Sequence, residues 1–282
     1  MKSKMGKDEI KKAVREGYAR VATQSSSCCP TDSPCCGSAS TAKEISRKIG
    51  YTREELESVP EGSNLGLGCG NPVALASLKK GETVLDLGSG VGFDCFLAAN
   101  KVGSKGRVIG VDMTPEMIEG ARKNCEEGKY RNVEFRLGEI ENLPVADNSA
   151  DVVISNCVIN LAVDKRRVFA EAFRVLKPGG RLMVSDIVLL KELPDFVKKN
   201  VEAYVGCLSG AVMKDEYIDI IKAAGFRGVK IVGETSFPIE LMANDPTAKA
   251  ILKNLNITPR KAKVVANSAT SVKVCGFKPG KA

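Results

Sequence analysis

The chain of 282 residues predicts an α/β fold, a mostly parallel sheet with helices on both faces, and three observations carry that expectation. The stretch Thr83 to Asp94, TVLDLGSGVGFD, passes from apolar Val84, Leu85 and Leu87 through glycines 88, 90 and 92 into a helical pattern at Phe93, Phe96 and Leu97. That order is a strand, a tight turn and a helix start. Arg107 to Asp112 repeats the strand signal and ends in an acid, and further strand and helix patterns alternate as far as Leu193. Short apolar runs alternating with helical patterns describe a sheet wound by crossover helices.

Composition narrows the chemistry. Hydrophobic content of 43% with 27% charge is ordinary for a soluble globular chain. The net charge of +8 comes from 42 basic and 34 acidic residues, but the lysines are scattered, which favours a solvated surface over a nucleic-acid site. No apolar run reaches spanning length and no secretory apolar core follows the lysine-rich N-terminus, so a cytoplasmic protein without membrane or nucleic-acid partners is expected. Histidine is absent, which excludes Ser-His and Cys-His nucleophile pairs and every histidine-containing metal site. Ten cysteines, at 28, 29, 35, 36, 69, 95, 125, 157, 207 and 275, point to soft-metal binding or redox chemistry in such a chain.

Taken in order, residues 1 to 24 predict an amphipathic helix, capped by Asp8 and carrying Ile10, Val14, Tyr18 and Val21 on one side, as a lid or side element. Residues 25 to 42 are small, polar and cysteine-laden; their two Cys-Cys pairs lack the usual zinc spacing, and a four-cysteine zinc site stays as the alternative to a loop or linker. A helix is expected over Ala42 to Val59, with Thr52 and Glu55 forming a capping box on a second short one. Gly66, Gly68 and Gly70 then flank Cys69 on irregular backbone, which is expected to display that thiol rather than pack it.

After the strand at Thr83 and the helix from Phe93 come strands at Arg107 to Asp112, Val133 to Leu137 and Asp151 to Cys157. A helix from about Asp164 to Leu176 ends at Lys177-Pro178-Gly179-Gly180, and Arg181 to Asp186 gives the fifth strand. Beyond Leu193 the pattern predicts helices over Pro194 to Val205 and Lys214 to Ala224, strands over Val229 to Phe237 and Ser271 to Phe277, and a lysine-rich helical stretch between those strands. The expected division is an N-terminal helix and cysteine-rich loop (1–42), a nucleotide-binding α/β domain (43–192) and a C-terminal portion that caps the substrate and completes the sheet (193–282).

The glycine turn predicts a nucleotide-like ligand, since glycine lets a ligand lie on bare backbone while the helix start supplies free N–H groups. The dinucleotide fingerprint G-x-G-x-x-G is not met, because its third glycine position is Phe93 and the extra glycine is Gly92. Asp112, ending the second strand, is placed to accept hydrogen bonds from both hydroxyls of a ribose. The pattern with Asp86 ahead of it, and the KPGG turn, resemble class I (Rossmann-like) S-adenosylmethionine (AdoMet) methyltransferases. That resemblance implies AdoMet as cofactor, held by Asp86, Gly88, Ser89, Gly90, Gly92, Asp112, Met113 and Asn156, with Ile140 on the adenine ring and Glu141 near its exocyclic amine.

Cys69, Cys157 and Cys207 each fall in a loop expected at the cofactor end of the sheet, whereas Cys95, Cys125 and Cys275 read as small buried hydrophobes. Three thiolates without histidine or carboxylate suit a soft centre. The segments LGLGCGNP, DLGSGVGFDC, VDMT, SNCVINL, RVLKPGG and GCLSGA together resemble arsenite S-adenosylmethionine methyltransferases from about Leu65 to Ala211, with SNCVINL and GCLSGA the discriminating signals. The resemblance implies trivalent arsenic as substrate on Cys69, Cys157 and Cys207. It also implies a disulfide between an N-terminal cysteine and Cys69, reduced afterwards by a thioredoxin-type partner; which of Cys28, Cys29, Cys35 and Cys36 takes that part is open. A monomer is expected, and the chain ends soon after its last predicted strand, without the extra C-terminal domain of longer members. Two rivals remain: a methyltransferase acting on a quinone or other small molecule, and a non-enzymatic metalloid-binding protein.

Overall fold

A computed structural model describes residues 6–24, 38–194, 197, 208, 210–236, 264–265 and 267–280. Helix α1 (Lys7–Gln24) starts two residues earlier than expected: Gly6 N–H donates to Glu9 Oε2 at 2.8 Å, and Asp8 sits in the first turn instead of capping it. Helix α2 (Ser38–Lys48) is followed by α3 (Arg53–Glu57), where Thr52 and Glu55 exchange both bonds of a capping box. Such reciprocal capping satisfies two N–H groups that a helix start leaves without partners. Helix α4 (Pro72–Leu75) is capped by Asn71, whose Oδ1 accepts from Ala74 N, and has proline at its first position.

The wound sheet follows, with β1 (Thr83–Leu87), α5 (Phe93–Val102), β2 (Arg107–Asp112), α6 (Pro115–Glu127), β3 (Val133–Leu137) and β4 (Ala150–Asn156). A 3-10 turn (Ile159–Leu161), α7 (Lys165–Val175), β5 (Leu176–Leu189), α8 (Lys214–Ala223), β6 (Arg227–Ser236) and β7 (Ala269–Phe277) complete it. The described strands form one seven-stranded sheet in the order β3-β2-β1-β4-β5-β7-β6. It is parallel from β3 to β5, while β7 runs antiparallel to both β5 and β6.

Edge strand β3 alternates with Glu134 and Arg136, whereas β1, β2 and β4 read as near-continuous apolar runs because both faces are covered. Alternate residues divide between them: Val84, Val108, Val152 and Ile154 pack with Phe96, Leu97 and Ile118 of α5 and α6. Leu85, Ile109, Val111, Val153 and Val184 pack on the opposite face with Phe169, Tyr217 and Phe226. The KPGG segment departs from expectation, since it lies within β5 rather than ahead of it. Ala150 pairs with Leu176 and Val152 with Arg181, so the extra residues of β5 bulge out of the ladder. Gly179 N donates to Lys278 O at 2.9 Å and Lys278 N to Gly180 O at 2.8 Å, which gives the bulge its own backbone partners. Of the helix expected over Pro194 to Val205 only Pro194 and helical Val197 are described; the rest of it and most of the stretch between β6 and β7 lie outside the described residues.

Candidate active site

Beyond the carboxyl ends of β1, β2 and β4 lies a cavity of about 190 Å³, the position where open α/β sheets bind ligands. Its floor is the glycine turn. Gly88 has φ 68°, and a Cβ there would collide with Val158, so only glycine gives this turn its close approach. Gly88 N and Ser89 N both donate to Val111 O, at 2.8 and 3.0 Å, which ties the turn to β2. Gly92 is not among the lining residues; it caps α5, and a Cβ there would lie 2.7 Å from the rings of Phe135 and Phe96. Its observed part is in helix–sheet packing.

Asp112 accepts from Gly90 N at 3.0 Å through Oδ2 and from Thr114 N at 2.9 Å through Oδ1. Burial pushes its pKa up, opposed by these backbone N–H groups. A carboxylate has about four lone-pair sites, so the two oxygens retain acceptor capacity toward the cavity. Met113, Ile140 and Glu141 continue the wall, and Lys11, Val14 and Tyr18 of α1 face them. Lys11 Nζ lies 2.6 Å from Glu139 Oε2 and 3.5 Å from Glu141 Oε1, so α1 is held to the loop after β3 by charge as well as by buried Val14.

Two buried carboxylates sit deeper. Asp86 accepts from Cys95 Sγ at 3.3 Å and, through burial and then the charge of Asp94, is held well above the usual carboxylate range. Burial pushes Asp94 up to about 6, while hydrogen bonds from Tyr51 and Asn156 pull it back. Cys95 is fully buried and its thiol is used as a donor, which refines its reading as a plain hydrophobe.

Cys69 and Cys157 both line the cavity. The expectation that Cys69 is displayed is corrected: it is only 6% exposed, because its loop folds inward. Its N–H donates to Asn156 Oδ1 at 3.0 Å, and its carbonyl accepts from Ser271 Oγ at 2.8 Å. Cys157 is half-buried and donates its N–H to Ser185 O at 2.8 Å from a backbone with φ 61°. A non-glycine residue in that left-handed region is uncommon; among the described residues Ser77, Lys129 and Asn148 share it, and Cys157 has it at the cavity wall. Cys28, Cys29, Cys35, Cys36 and Cys207 lie outside the described residues. Among the described residues no group of three or more Cys, Asp or Glu converges as a metal site would, and no helix is long and apolar enough to cross a membrane.

Sequence reasoning missed Tyr51, Asp94 and Lys11. Asp94 carried a usable signal as the acid in the first turn after the glycine turn; Tyr51 and Lys11 meet the site only through long-range packing.

A parallel sheet ending in an antiparallel seventh strand, with a cavity over its first glycine turn, defines a class I methyltransferase fold. Residues 78–225 match the family model described as a methyltransferase domain. The chain is 51% identical over 231 residues to the arsenite methyltransferase of Halobacterium salinarum, covering 79% of this chain and 59% of that protein. It is 36% identical over 234 residues to that of Aquipseudomonas alcaligenes, covering 80% and 65%. The crystal structure of an arsenic(III) S-adenosylmethionine methyltransferase from Chlamydomonas reinhardtii superposes with a TM-score of 0.61 at 32% identity, over 83% of this chain and 73% of that one. The chain belongs to the arsenite S-adenosylmethionine methyltransferase family. It spans about three-fifths of the length of the curated relatives it matches.

Proposed function

We propose that this protein transfers methyl groups from AdoMet to trivalent arsenic held by Cys69, Cys157 and Cys207. The observation that carries the proposal is that Cys69 and Cys157, from separate segments, line one cavity with Asp112 and the glycine turn. The cavity also suits the cofactor chemically. Ser89 Oγ is buried with no hydrogen-bond partner among the described residues, Asp112 keeps acceptor capacity for a ribose, and Gly88 leaves room that a Cβ would fill. Bound AdoMet supplies an electrophilic methyl on a sulfonium, already a good leaving group.

In this mechanism the residues bind and orient. Asp112 holds the ribose, Ile140 and Glu141 the adenine, and Gly88 and Gly90 the amino-acid end, with Asp86, Ser89, Met113 and Asn156 along the wall. The thiolates of Cys69, Cys157 and Cys207 hold arsenic in a pyramid whose lone pair faces the methyl group. Apolar Val14, Leu161 and Ile187 line the same cavity and limit water. Proximity and in-line orientation supply up to roughly 7–11 kcal/mol in such arrangements. No proton leaves the nucleophile, so no general base is required and the absence of histidine is understandable.

Transfer uses the arsenic lone pair and formally oxidises arsenic to the pentavalent state. Two thiolates, Cys69 and one of Cys28, Cys29, Cys35 or Cys36, return two electrons and become a disulfide, which a thioredoxin-type dithiol then reduces. Residues 1–42 and 193–282 act on either side of the 43–192 domain as redox-bearing and substrate-capping portions. The test is methyl-labelled AdoMet offered with arsenite and, separately, a quinone. Label in methylated arsenic supports the proposal. Label only in the quinone, or arsenite binding without transfer, selects one of the rivals.

A further inference from the structure

Asn156 closes β4 with a side chain whose two ends must face different partners, since Oδ1 only accepts and Nδ2 only donates. Oδ1 accepts the Cys69 N–H at 3.0 Å. Nδ2 faces Gly70 O at 2.8 Å, Tyr51 Oη at 2.9 Å and Asp94 Oδ2 at 3.1 Å. Tyr51 Oη donates in turn to Asp94 Oδ1 at 2.7 Å. An inverted amide would aim its oxygen at a carboxylate and a carbonyl, so the network permits one orientation. Gly68 lies flat on the same amide: a Cβ there would stand 2.7 Å from Nδ2. The loop carrying Cys69 is thus fastened to one side chain before and after the cysteine. Tyr51 is 3% exposed, meets Phe93 edge-on at 4.8 Å, and is not among the cavity-lining residues. Its hydroxyl can influence the site only through Asp94 and Asn156.

We propose that Tyr51, Asp94 and Asn156 are positioning residues that lock the Cys69 loop against the end of β4, fixing the Cys69 thiol beside Cys157. The inference rests on the thiol reading given above. Cys157 directly follows Asn156, so the same strand end carries one thiol and clamps the loop of the other. The distance between two soft ligands is therefore set by one amide, and that amide is set by Tyr51 and Asp94.

The test is Tyr51→Phe in the full chain, which keeps the ring packing and removes one donor and one acceptor. Iodoacetamide labelling of each cysteine is followed by mass spectrometry, and arsenite and AdoMet affinities by calorimetry. Loss of a hydrogen bond of ordinary strength corresponds to about a threefold to tenfold change. Cys69 labelling should accelerate by that factor while buried Cys95 stays protected. Arsenite affinity should fall similarly, with AdoMet affinity kept within about twofold, a split that a general loosening of the fold would not give. Unchanged Cys69 labelling overturns the inference, and so does equal acceleration at Cys95. Absence of arsenite binding in the wild type would refute the thiol reading instead, while the labelling still decides the positioning. If Tyr51→Phe does not fold, Asp94→Asn decides: it must also speed Cys69 labelling, because its amide has one acceptor oxygen where the carboxylate uses two, one for Tyr51 Oη and one for Asn156 Nδ2.

Discussion

Cys157 offers a direct test of why a thiol occupies its position. Its φ of 61° places an L-residue in the left-handed region at a cost of roughly 1–2 kcal/mol, a cost glycine avoids. Cys157→Ala removes Sγ and keeps the Cβ that causes the strain; Cys157→Gly removes both. Both variants keep the N–H that donates to Ser185 O at 2.8 Å, and both lose the thiol's packing, so these effects cancel in the comparison. At an ordinary helix or strand position alanine is the more stable by roughly 0.5–1 kcal/mol. Here the order should invert, with glycine ahead by about 1 kcal/mol, or a melting temperature about 2–4 °C higher. Urea unfolding of the two variants at a common slope gives the difference. Alanine equal to or above glycine would refute the strain. Both variants should lose arsenic methylation, and a methylating Cys157→Gly would remove this thiol from the site.

Asp112→Ala should weaken AdoMet by about 1.5–3 kcal/mol, the worth of a hydrogen bond to a charged group, as read by calorimetry; unchanged affinity would place the cofactor elsewhere. Cys69→Ser and Cys207→Ser should each abolish methylation with AdoMet affinity nearly intact, because serine is a hard, protonated substitute for a thiolate. Changing Cys28, Cys29, Cys35 and Cys36 together to serine should leave one turnover and stop later ones, and sustained turnover would exclude an essential redox role. Burial pushes Asp186 from 3.8 up to about 7, so the folded chain holds that proton more tightly than the unfolded one. Its ionisation therefore weakens folding as pH rises through that window. The stability of wild type relative to Asp186→Asn should fall between those pH values by up to about 1.4 kcal/mol per pH unit, and a rise would contradict the assignment.

The sheet was legible because local signals recur: apolar runs, glycine turns and a capping box need only near neighbours in sequence. The carboxyl ends of β1, β2 and β4 followed from that rhythm, and with them the cavity-lining positions of Asp112 and Cys157, whereas Ile140, in the loop after β3, came from the family resemblance. The burial of Cys69 was not legible. Flanking glycines suggest display, whereas the loop is drawn inward by Asn156 and by Ser271, which is far along the chain. The same limit hid Tyr51, whose polar partners Asp94 and Asn156 come from other elements. The KPGG bulge was misread because Pro-Gly-Gly signals a turn, while its hydrogen bonds to Lys278 allow the strand to continue around it.

Arsenic K-edge X-ray absorption of the arsenite-bound chain, without and with AdoMet, tests the central claim most directly. Three sulfur neighbours and no oxygen are predicted for the wild type, with one sulfur replaced by oxygen in Cys207→Ser and again in Cys69→Ser. Oxygen ligation in the wild type, or a three-sulfur shell that survives both substitutions, would contradict it.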